Sequence, residues 1–355
     1  MASSLRDIDQ AALLLEQVRS ARDTGRPLHI VGGRSKDFLG RACEGIPLDT
    51  RGHCGIVSYD PAELVITARA GTPLADLEAA LDAAGQILPC EPPDFTGRAT
   101  VGGMVATGLS GPRRPWAGSV RDYVLGCRLI SGHGNHLRFG GQVIKNVAGY
   151  DVSRLLAGSF GCLGLLTEVS LKVLPKPRAS LSLRLEIGRS SALRLFTEWG
   201  QRSLPISGAC HDGHAALIRL EGGTGSVKAA REMLGGEVID EVFWRDLRDH
   251  RLAFFGGQNP LWRLSVASHR TPLELPGEAL IDWGGAQVWL KTAASPAEVR
   301  SLAAAAGGHA TCFTAGLDDS PLMPLPAPLF RYHQQIKAQL DPQGIFNPAR
   351  MYAGL

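Results

Sequence analysis

The chain has 355 residues, of which 44% are hydrophobic and 20% are charged, and its formal net charge is +3. This length and apolar content predict a compact protein with a larger and a smaller domain. A weak charge without any block of lysines and arginines argues against nucleic acid as a partner.

The seven cysteines are an odd number and are scattered singly, without a CxxC pair that would hold zinc or an iron–sulfur cluster. This usage is typical of a reducing compartment. The segment MASSLRDIDQAALLLEQV carries acidic residues within an amphipathic helical pattern, unlike a signal peptide or a membrane span. We therefore expect a cytoplasmic protein with no direct membrane insertion, for which any membrane association comes through partners.

The first part of the chain predicts small α+β units. Apolar residues at helical spacing predict a helix that ends near Gly25, and PLHIV after it predicts a short buried strand. The strand leads into GGRSKDFLG, where the glycines leave the following amides free for an anion and Arg34 or Lys36 adds charge. An ordinary strand-to-loop turn explains this segment equally well. Further strands are predicted over 46–50, 55–58 and 64–70, and a helix over 72–84.

The stretch from Ala99 to Asp122, ATVGGMVATGLSGPRRPWAGSVRD, concentrates glycines among small and hydroxyl-bearing residues. A backbone of this kind can come close to a bulky anionic ligand, so we predict a binding loop. A glycine-rich surface loop is the alternative. Neither a Walker A pattern nor a Rossmann GxGxxG occurs, which argues against a mononucleotide kinase and a nicotinamide dehydrogenase.

A second glycine-rich loop follows a short helix that Asp151 caps, and it precedes a strand over 165–174. Lys145, Asn146 and Tyr150 upstream of it would line a ring system or satisfy loop amides. From Ala179 strands alternate with helices, which predicts an antiparallel α+β sandwich. A helix over 330–340 and the segment DPQGIFNPARMYAGL end the sequence.

Four segments in this order, GGRSKD, TVGGMVATGLSGPRRPWAGSVRDYVLG, KNVAGYDVSRLLAGSFGCLGLLTE and DPQGIFNPAR, resemble FAD-binding flavoproteins of the vanillyl-alcohol oxidase type. Through PLWRLSV, IDWGGAQVWLKT, AAAAGGHAT and IFNPARMY, the chain is most similar to the family of FAD-binding E subunits of bacterial glycolate oxidases. The resemblance implies an α+β fold with a non-Rossmann (PCMH-type) FAD-binding domain and an α+β cap domain. The implied limits are 1–178 for the FAD-binding domain, with two subdomains that divide near residue 90, 179–325 for the cap, and 326–355 for a segment that returns to the FAD-binding domain.

The resemblance also implies which residues bind FAD. The pyrophosphate would lie against Gly32, Gly33, Arg34, Ser35, Lys36 and Asp37. The pyrophosphate and ribityl chain would follow Thr100, Gly102, Gly103, Thr107, Gly108, Ser110 and Gly111, continued by Gly118, Ser119, Val120, Arg121 and Asp122. Gly161, Gly164 and Leu166 would lie by the adenine, and Asn347 would return to the flavin. Some relatives attach the flavin through a histidine in the first loop, but VGGRSKD contains none, so we predict non-covalent FAD.

Oxidation of a 2-hydroxy acid needs a base for the hydroxyl proton and a cation for the carboxylate. Arg263 or Lys291 is a candidate for the cation and His309 for the catalytic base, with a structural role as the alternative for Arg263 and for His309. Related dehydrogenases hold a metal through HxGDGNxH. The segment CHDGHAALIRLEG, with His211 and His214, lacks this pattern, so we predict no metal site.

The function implied by the resemblance is that of an FAD-dependent oxidoreductase acting on CH–OH groups. It would serve in a complex that oxidises glycolate or a similar 2-hydroxy acid to the 2-oxo acid. The implied partners are a second flavin subunit and an iron–sulfur subunit that takes the electrons onward. Two alternatives stay open at this point: a self-sufficient 2-hydroxy acid dehydrogenase, and a flavin-bearing structural or interaction subunit without substrate chemistry of its own.

Overall fold

The structure, a computed structural model, describes residues 7–141, 151–317 and 320–355. The candidate lining residues Lys145, Asn146 and Tyr150 lie outside the described residues. None of the helices within the described ranges combines the length and the apolar character that crossing a membrane requires.

Contacts divide the chain into two compact units. Unit 1 comprises Met1–Ser110, Gly118–Pro175 and Pro324–Leu355, and unit 2 comprises Gly111–Ala117 and Lys176–Met323. The segment 111–117 therefore groups with unit 2, although the sequence analysis places it within the first domain.

The secondary structure mixes helices with strands throughout. The helices are α1 Ala11–Thr24, α2 Leu74–Ala83, α3 Val101–Thr107, α4 Arg114–Ala117, α5 Val120–Tyr123, α6 Val152–Leu155, α7 Arg189–Gly200, α8 Thr224–Leu234, α9 Val242–Arg248, α10 Pro296–Ala305 and α11 Ala327–Leu340. The strands are β1 Leu28–Val31, β2 Ile46–Asp49, β3 Ile56–Asp60, β4 Val65–Arg69, β5 Gln86–Ile87, β6 Val124–Ile130, β7 His136–Gly140, β8 Leu165–Lys172, β9 Leu174–Pro175, β10 Ala179–Leu185, β11 Ile206–His211, β12 Ala216–Gly222, β13 Glu237–Ile239, β14 Leu261–Ser265, β15 Glu278–Asp282, β16 Gln287–Lys291 and β17 His309–Cys312.

Unit 1 contains two hydrophobic clusters. In the first, α1 buries Leu14 and Val18 against the parallel pair β1–β2, together with Ile345 and Phe346 from the C-terminal segment. Helix α1 ends at Gly25, whose φ of 64° is the left-handed conformation of a helix C-cap. The predicted first helix and strand are thus confirmed, and the C-terminal segment is part of this core.

The second cluster of unit 1 lies between the antiparallel sheet β3-β4-β8-β6-β7 and the helices α2 and α3. All five residues of β4 are buried, as expected for a strand in the interior of a sheet. The first cluster also takes in Ile130 and Leu165, so the two clusters do not separate at one point of the sequence, and the predicted break near residue 90 stays a prediction.

The stretch predicted as a binding loop, 99–122, contains the short helices α3, α4 and α5. Thr100 caps α3 by accepting a hydrogen bond from the amide of Gly103, and Gly108 ends it with a φ of 63°. The prediction of a loop is wrong here because the two caps define a helix in which small residues pack closely. The glycines at 102 and 103 lie in its first turn.

Unit 2 is built on one antiparallel eight-stranded sheet with the order β13-β10-β12-β11-β15-β16-β14-β17. Helices α7 and α8 cover the β10–β12 side of one face, and α10 covers β14 and β17. This confirms the predicted antiparallel α+β arrangement. Strands β13 and β15 were not predicted from the sequence, because each is short and follows glycines and charged residues rather than a clear apolar alternation.

A buried ion pair joins α11 to the rest of unit 1. The Lys337 ammonium donates to the Asp341 carboxylate at 2.6 Å and to the carbonyls of Cys162 and Phe346 at 2.7 and 2.9 Å. The carboxylate also accepts from the amides of Ile345 and Phe346. Lys337 is 7% and Asp341 1% exposed, so both charges depend on these protein partners.

We expect Lys337→Met to lower the free energy of unfolding of unit 1 by about 3–5 kcal/mol, because it leaves the Asp341 carboxylate buried without its counter-charge. Urea unfolding followed by circular dichroism measures the change. Lys228→Met, at an exposed position of α8, is the matched control and should shift stability by less than about 0.5 kcal/mol. A loss for Lys337→Met no larger than that of the control would contradict the assignment.

Candidate cofactor and substrate sites

A cleft opens in unit 1. Four chain segments form its walls: 29–37 from β1 into the following turn, 100–107 with α3, 159–166 reaching the start of β8, and 347–350 near the C-terminus. Thr50 and Ala70 complete the lining. The cleft therefore brings together the four sequence segments that carry the family resemblance.

Most of the residues predicted to bind the cofactor line this cleft. They are Gly32, Gly33, Arg34, Ser35, Lys36, Asp37, Thr100, Gly102, Gly103, Thr107, Gly161, Gly164, Leu166 and Asn347. The predicted residues outside the lining are Gly108, Ser110, Gly111, Gly118, Ser119, Val120, Arg121 and Asp122. The cleft also uses residues that the sequence analysis did not name as ligands, among them His29, Phe160 and Arg350.

The predicted residues outside the lining make contacts within the protein. The Ser110 hydroxyl accepts a hydrogen bond from the amide of Val120 at 3.0 Å. Ser119 and Asp122 form a capping box at the start of α5. In unit 2, the Gly111 carbonyl accepts a hydrogen bond from the Trp283 indole at 3.0 Å. Their contact with FAD stays a prediction.

The amides at the start of α3 are already used by the protein. Val101 donates to the Thr72 carbonyl at 2.9 Å, Gly102 to the Ala70 carbonyl at 2.8 Å, and Gly103 to the Thr100 hydroxyl at 3.3 Å. A Cβ at position 102 would lie 2.7 Å from the Ala70 Cβ, so this glycine allows α3 to pack on β4. These three amides are therefore not free donors for a phosphate, and the contact of Gly102 and Gly103 with FAD stays a prediction.

Free amides occur instead after β1. Among the described residues, no acceptor contacts the backbone N–H groups of Gly33, Arg34 and Ser35, which line the cleft. Arg34 has a φ of 58°, and a Cβ on Gly33 would lie 1.4 Å from the Arg98 carbonyl oxygen. The Arg98 backbone lies close to Gly33 and, together with the left-handed Arg34, fixes the conformation of this turn. Its consecutive unpaired N–H groups form a suitable site for an anion.

Cationic side chains accompany these amides. Lys36 is 8% exposed, and its ammonium lies 3.2 Å from the Ser35 hydroxyl and 5.5 Å from the Phe95 ring centroid. A buried ammonium beside unpaired amides is the donor set that a pyrophosphate requires. The residues present thus fit the phosphates of FAD.

Asn347 connects two walls of the cleft. Its side-chain oxygen accepts from the Ile30 amide at 2.8 Å, and its side-chain nitrogen donates to the Phe160 carbonyl at 2.7 Å. A Cβ on Gly161 would meet this nitrogen at 2.7 Å. The carboxamide therefore holds the cleft together.

The three catalytic candidates lie on one face of the unit 2 sheet. In the strand register Arg263 is opposite Trp289 and Thr311, Lys291 is opposite Leu261, and His309 is opposite Ser265. Because side chains alternate along a strand, all three point away from the core packed under α10. The structure thus brings together residues that are 46 positions apart, from 263 to 309.

Among the residues that the structure describes, Arg263 is a cation without a counter-charge. Its buried Nε has no hydrogen-bond partner, and no acceptor or carboxylate contacts its guanidinium in the part of the chain that the structure describes. The guanidinium lies 5.3 Å from the Phe313 ring centroid. Burial, together with the charge of Arg114, lowers the pKa of Arg263 to about 10, so it stays protonated at neutral pH. An acidic ligand would supply the missing partner.

Lys291 and His309 differ from Arg263 in their surroundings. The Lys291 ammonium pairs with Glu278 at 3.2 Å. His309 lies exposed at the sheet edge, and desolvation of its ring followed by the charges of Arg263 and Arg114 lowers its pKa. A lowered pKa keeps the imidazole neutral at pH 7, in the form that accepts a proton.

An aromatic cluster beside Arg263 was not predicted from the sequence. His250 stacks on Phe255 at 4.0 Å and meets Trp289 edge-on at 4.5 Å, while Trp289 and Phe313 are 4.9 Å apart. Burial lowers the pKa of His250 to about 3, with the charge of Arg263 acting in the same direction and Asp249 opposing. In the sequence this cluster is signalled only by the aromatic side chains that follow Asp249, and the sequence does not indicate which side chains they contact.

Within the described ranges, no group of three or more His, Cys, Asp and Glu side chains is placed to hold a metal ion. His211 uses both ring nitrogens locally: Nε2 lies 3.1 Å from the Ile187 carbonyl, and Nδ1 accepts from the Gly213 amide at 3.2 Å. These contacts explain the buried histidine as a structural part of its turn.

The sequence of this chain is similar to those of known flavin-related proteins. The family described as FAD binding domain matches residues 9–140, which include the first two glycine-containing walls of the cleft. The chain is 61% identical over 351 residues to the glycolate oxidase subunit GlcE of Escherichia coli (strain K12), which covers 99% of this chain and 100% of that protein. It is 35% identical over 128 residues to the glycolate oxidase subunit GlcD of Bacillus subtilis (strain 168), which covers 36% of this chain and 27% of that protein.

A solved structure of alkyldihydroxyacetonephosphate synthase superposes with a TM-score of 0.66 at 16% sequence identity. The match covers 95% of this chain and 74% of that one. At this identity the likeness shows only that this chain shares the fold of that structure.

Two glycines of the cleft should respond differently to substitution. Gly103→Leu places its side chain in the cleft, since an added Cβ meets only the Thr100 hydroxyl, at 3.1 Å. We expect it to leave the fold intact and to weaken FAD binding by roughly tenfold or more, because it occupies cofactor volume. Gly33→Ala should instead prevent the turn from forming, because its Cβ would overlap the Arg98 carbonyl.

Titration of the apoprotein with FAD, followed by flavin fluorescence, measures the first effect, and the yield of folded protein measures the second. Gly225→Leu is the matched control, because it is a helical glycine of unit 2 with nothing within 4 Å of an added Cβ. Unchanged FAD affinity in Gly103→Leu would show that the cofactor does not pass α3.

The lowered pKa of His250 makes unit 2 sensitive to acid. Between pH 6.5 and about 3 the unfolded chain binds a proton that the folded chain does not, so stability falls as the pH drops through this window. The slope contributed is at most about 1.4 kcal/mol per pH unit. His250→Phe retains a ring and removes the proton, so we expect a shallower acid dependence.

Tryptophan fluorescence during urea unfolding measures this dependence in unit 2 alone, because all 6 tryptophans of the chain fall in its two segments. Equal slopes for the wild-type chain and His250→Phe below pH 6.5 would mean that His250 is charged in the folded protein.

Proposed function

Because this chain belongs to the GlcE family of glycolate oxidase subunits, we propose that it is the FAD-binding subunit of a complex that oxidises glycolate or a similar small 2-hydroxy acid. It is an FAD-dependent oxidoreductase. The observation that carries the proposal is the extent of the identity, 61% over 99% of the chain. That span includes all of unit 2 except at most a few residues, whereas the match to GlcD covers 36% of the chain.

The cofactor belongs in the cleft of unit 1. The free amides of Gly33, Arg34 and Ser35, with the buried Lys36 ammonium, would hold the phosphates, and Thr100 and Gly103 would border the chain between the phosphates and the ring. When bound, FAD supplies the acceptor for the two electrons of the alcohol oxidation. Its attachment is proposed to be non-covalent, as expected from a first loop without histidine.

The substrate carboxylate is assigned to Arg263. An unpaired guanidinium in a sheltered position gains two charge-assisted hydrogen bonds from a carboxylate, whereas the Lys291 ammonium already has Glu278. His309, neutral at pH 7, is the proposed base that takes the hydroxyl proton. The rings of Trp289 and Phe313 restrict the space beside Arg263, which favours a small acid.

The electrons are proposed to leave through an iron–sulfur subunit, with a second flavin subunit in the same complex. Burial disfavours the thiolates of this chain, since it raises the pKa of Cys127 to about 12 and that of Cys162 to about 11. Cluster ligation requires thiolates brought together, so Cys127 and Cys162 are poor cluster ligands. The free state of all seven cysteines supports a cytoplasmic location.

A self-sufficient 2-hydroxy acid dehydrogenase is the second candidate, and the unpaired Arg263 is the observation that favours it. A subunit that merely carried a flavin would have no need to keep a sheltered cation without a counter-charge. The two candidates differ in whether the isolated chain reduces its own flavin.

The deciding experiment adds glycolate and D-lactate anaerobically to the isolated chain and to the assembled complex while flavin absorbance is recorded. We expect a yellow protein whose colour acid precipitation releases, poor bleaching alone, and rapid bleaching in the complex. Robust turnover of the isolated chain with an artificial acceptor would refute the division of labour. A colourless chain that cannot be reconstituted would refute the cofactor role.

Arg263→Met identifies the acid site within the same experiment. We expect it to lower the rate of bleaching at low glycolate by roughly 10²-fold with FAD content unchanged, as for loss of a sheltered charge pair. Arg231→Met, at an exposed position of α8, is the matched control. Full activity of Arg263→Met in the complex would place the carboxylate elsewhere.

A further inference from the structure

We propose that Arg350 is a positioning residue for the cofactor, which clamps the loop 34–41 so that the free amides after β1 stay directed into the cleft. The inference rests on the assignment of this cleft to FAD. It adds a residue of the C-terminal segment, remote in sequence from the loop, to the groups that hold the cofactor.

Arg350 both donates hydrogen bonds to the segment 37–41 and accepts one from it. Its guanidinium donates to the Asp37 carbonyl at 3.0 Å and also to the Arg41 carbonyl. The Arg41 amide in turn donates to the Arg350 carbonyl at 2.8 Å. Side chain and backbone of one residue thus hold both ends of the segment 37–41.

The loop is shaped to receive this residue. Gly40 has a φ of 84°, and a Cβ there would lie 2.9 Å from the Arg350 carbonyl oxygen and 3.3 Å from its Nε. No other residue type would let the loop pass so close to Arg350 without strain.

The loop has little internal support without the clamp. Among the described residues, its own backbone forms the bonds from Asp37 to Arg34, at 3.4 Å, and from Leu39 to Lys36, at 3.0 Å. Arg34 sits in a left-handed conformation that the surroundings must maintain. The distal part of the loop is held by the buried Leu39 side chain, by the edge-on contact of Phe38 with Phe95 at 5.6 Å, and by the contacts of Arg350.

Arg350 is itself held at a fixed place. Its amide donates to the Asn347 carbonyl at 3.2 Å, and the Asn347 side chain joins β1 to the 159–161 wall. The clamp therefore ties the phosphate-facing loop to the two other walls of the cleft. A loop released from it would present the amides correctly for only part of the time, and the affinity for FAD falls by that fraction.

The test compares Arg350→Met, Arg350→Lys and Arg22→Met in the full chain. Arg22 is the matched control, because its guanidinium donates to a loop carbonyl of unit 1, that of His133, at 2.7 Å, outside the cleft. Three quantities are measured on the apoprotein: hydrogen exchange of 32–41, the urea midpoint, and the Kd for FAD from flavin fluorescence.

We expect Arg350→Met to speed exchange in 32–41 and to raise the Kd for FAD by roughly tenfold or more, as for the loss of two charge-assisted hydrogen bonds. Arg350→Lys, which keeps the charge but cannot bridge two carbonyls, should give an intermediate Kd and faster exchange. Arg22→Met should change neither quantity. The urea midpoint should stay close to the wild-type value in all three.

Unchanged exchange in both Arg350 variants overturns the clamp, whatever the Kd; a raised Kd with unchanged exchange would make Arg350 a direct ligand instead. An unchanged Kd with faster exchange shows that FAD does not depend on the loop and also overturns the proposal. If Arg350→Met does not fold, Arg350→Lys alone decides by the same two readouts. Failure of the wild-type chain to bind FAD would refute the cofactor assignment, while the exchange measurement would still test the clamp.

Discussion

The buried pair of Lys337 and Asp341 is the interaction on which the cofactor cleft depends. One ammonium satisfies a carboxylate and two carbonyls, and the carboxylate satisfies two amides, so six polar groups lose water together. Breaking any member leaves others buried and unpaired, which makes the set cooperative. The Cys162 carbonyl belongs to the wall 159–166, and Phe346 precedes Asn347. The ion pair does not line the cleft, but it connects the wall 159–166 to the wall 347–350 and so fixes the distance between them.

The glycines of this chain serve protein contacts more than ligand contacts. Gly33 admits the Arg98 carbonyl, Gly102 admits Ala70, and Gly161 admits the Asn347 side chain. Close packing of backbone on backbone brings several segments to one place and fixes them there. The effect on the ligand is indirect: no described residue accepts from the amides of Gly33, Arg34 and Ser35 in the turn after β1, whereas the amides at the start of α3 already have acceptors.

Unit 2 presents the opposite situation, a charge that none of the described residues pairs. Arg263 has aromatic neighbours and a second cation nearby, where structural arginines have carboxylates. The comparison with Arg219 on the same sheet makes the point, since Arg219 donates to Ser207 and lies 3.6 Å from Glu221. A sheltered guanidinium without a partner raises the free energy of the fold, and a bound anion lowers it again.

The sequence by itself determined the kinds of elements, the positions of the first helix and strand, the antiparallel character of unit 2, and the family, through four segments in a fixed order. These are properties of neighbouring residues, since caps, periodicity and turns act over a few positions. It did not determine which donors are free or which cations are paired. The amides of 101–103 are consumed by Thr72, Ala70 and Thr100, and the loop 34–41 is held by Arg350, more than three hundred positions away. Only the tertiary structure decides this, because a polar group is available to a ligand only when no distant part of the chain already satisfies it.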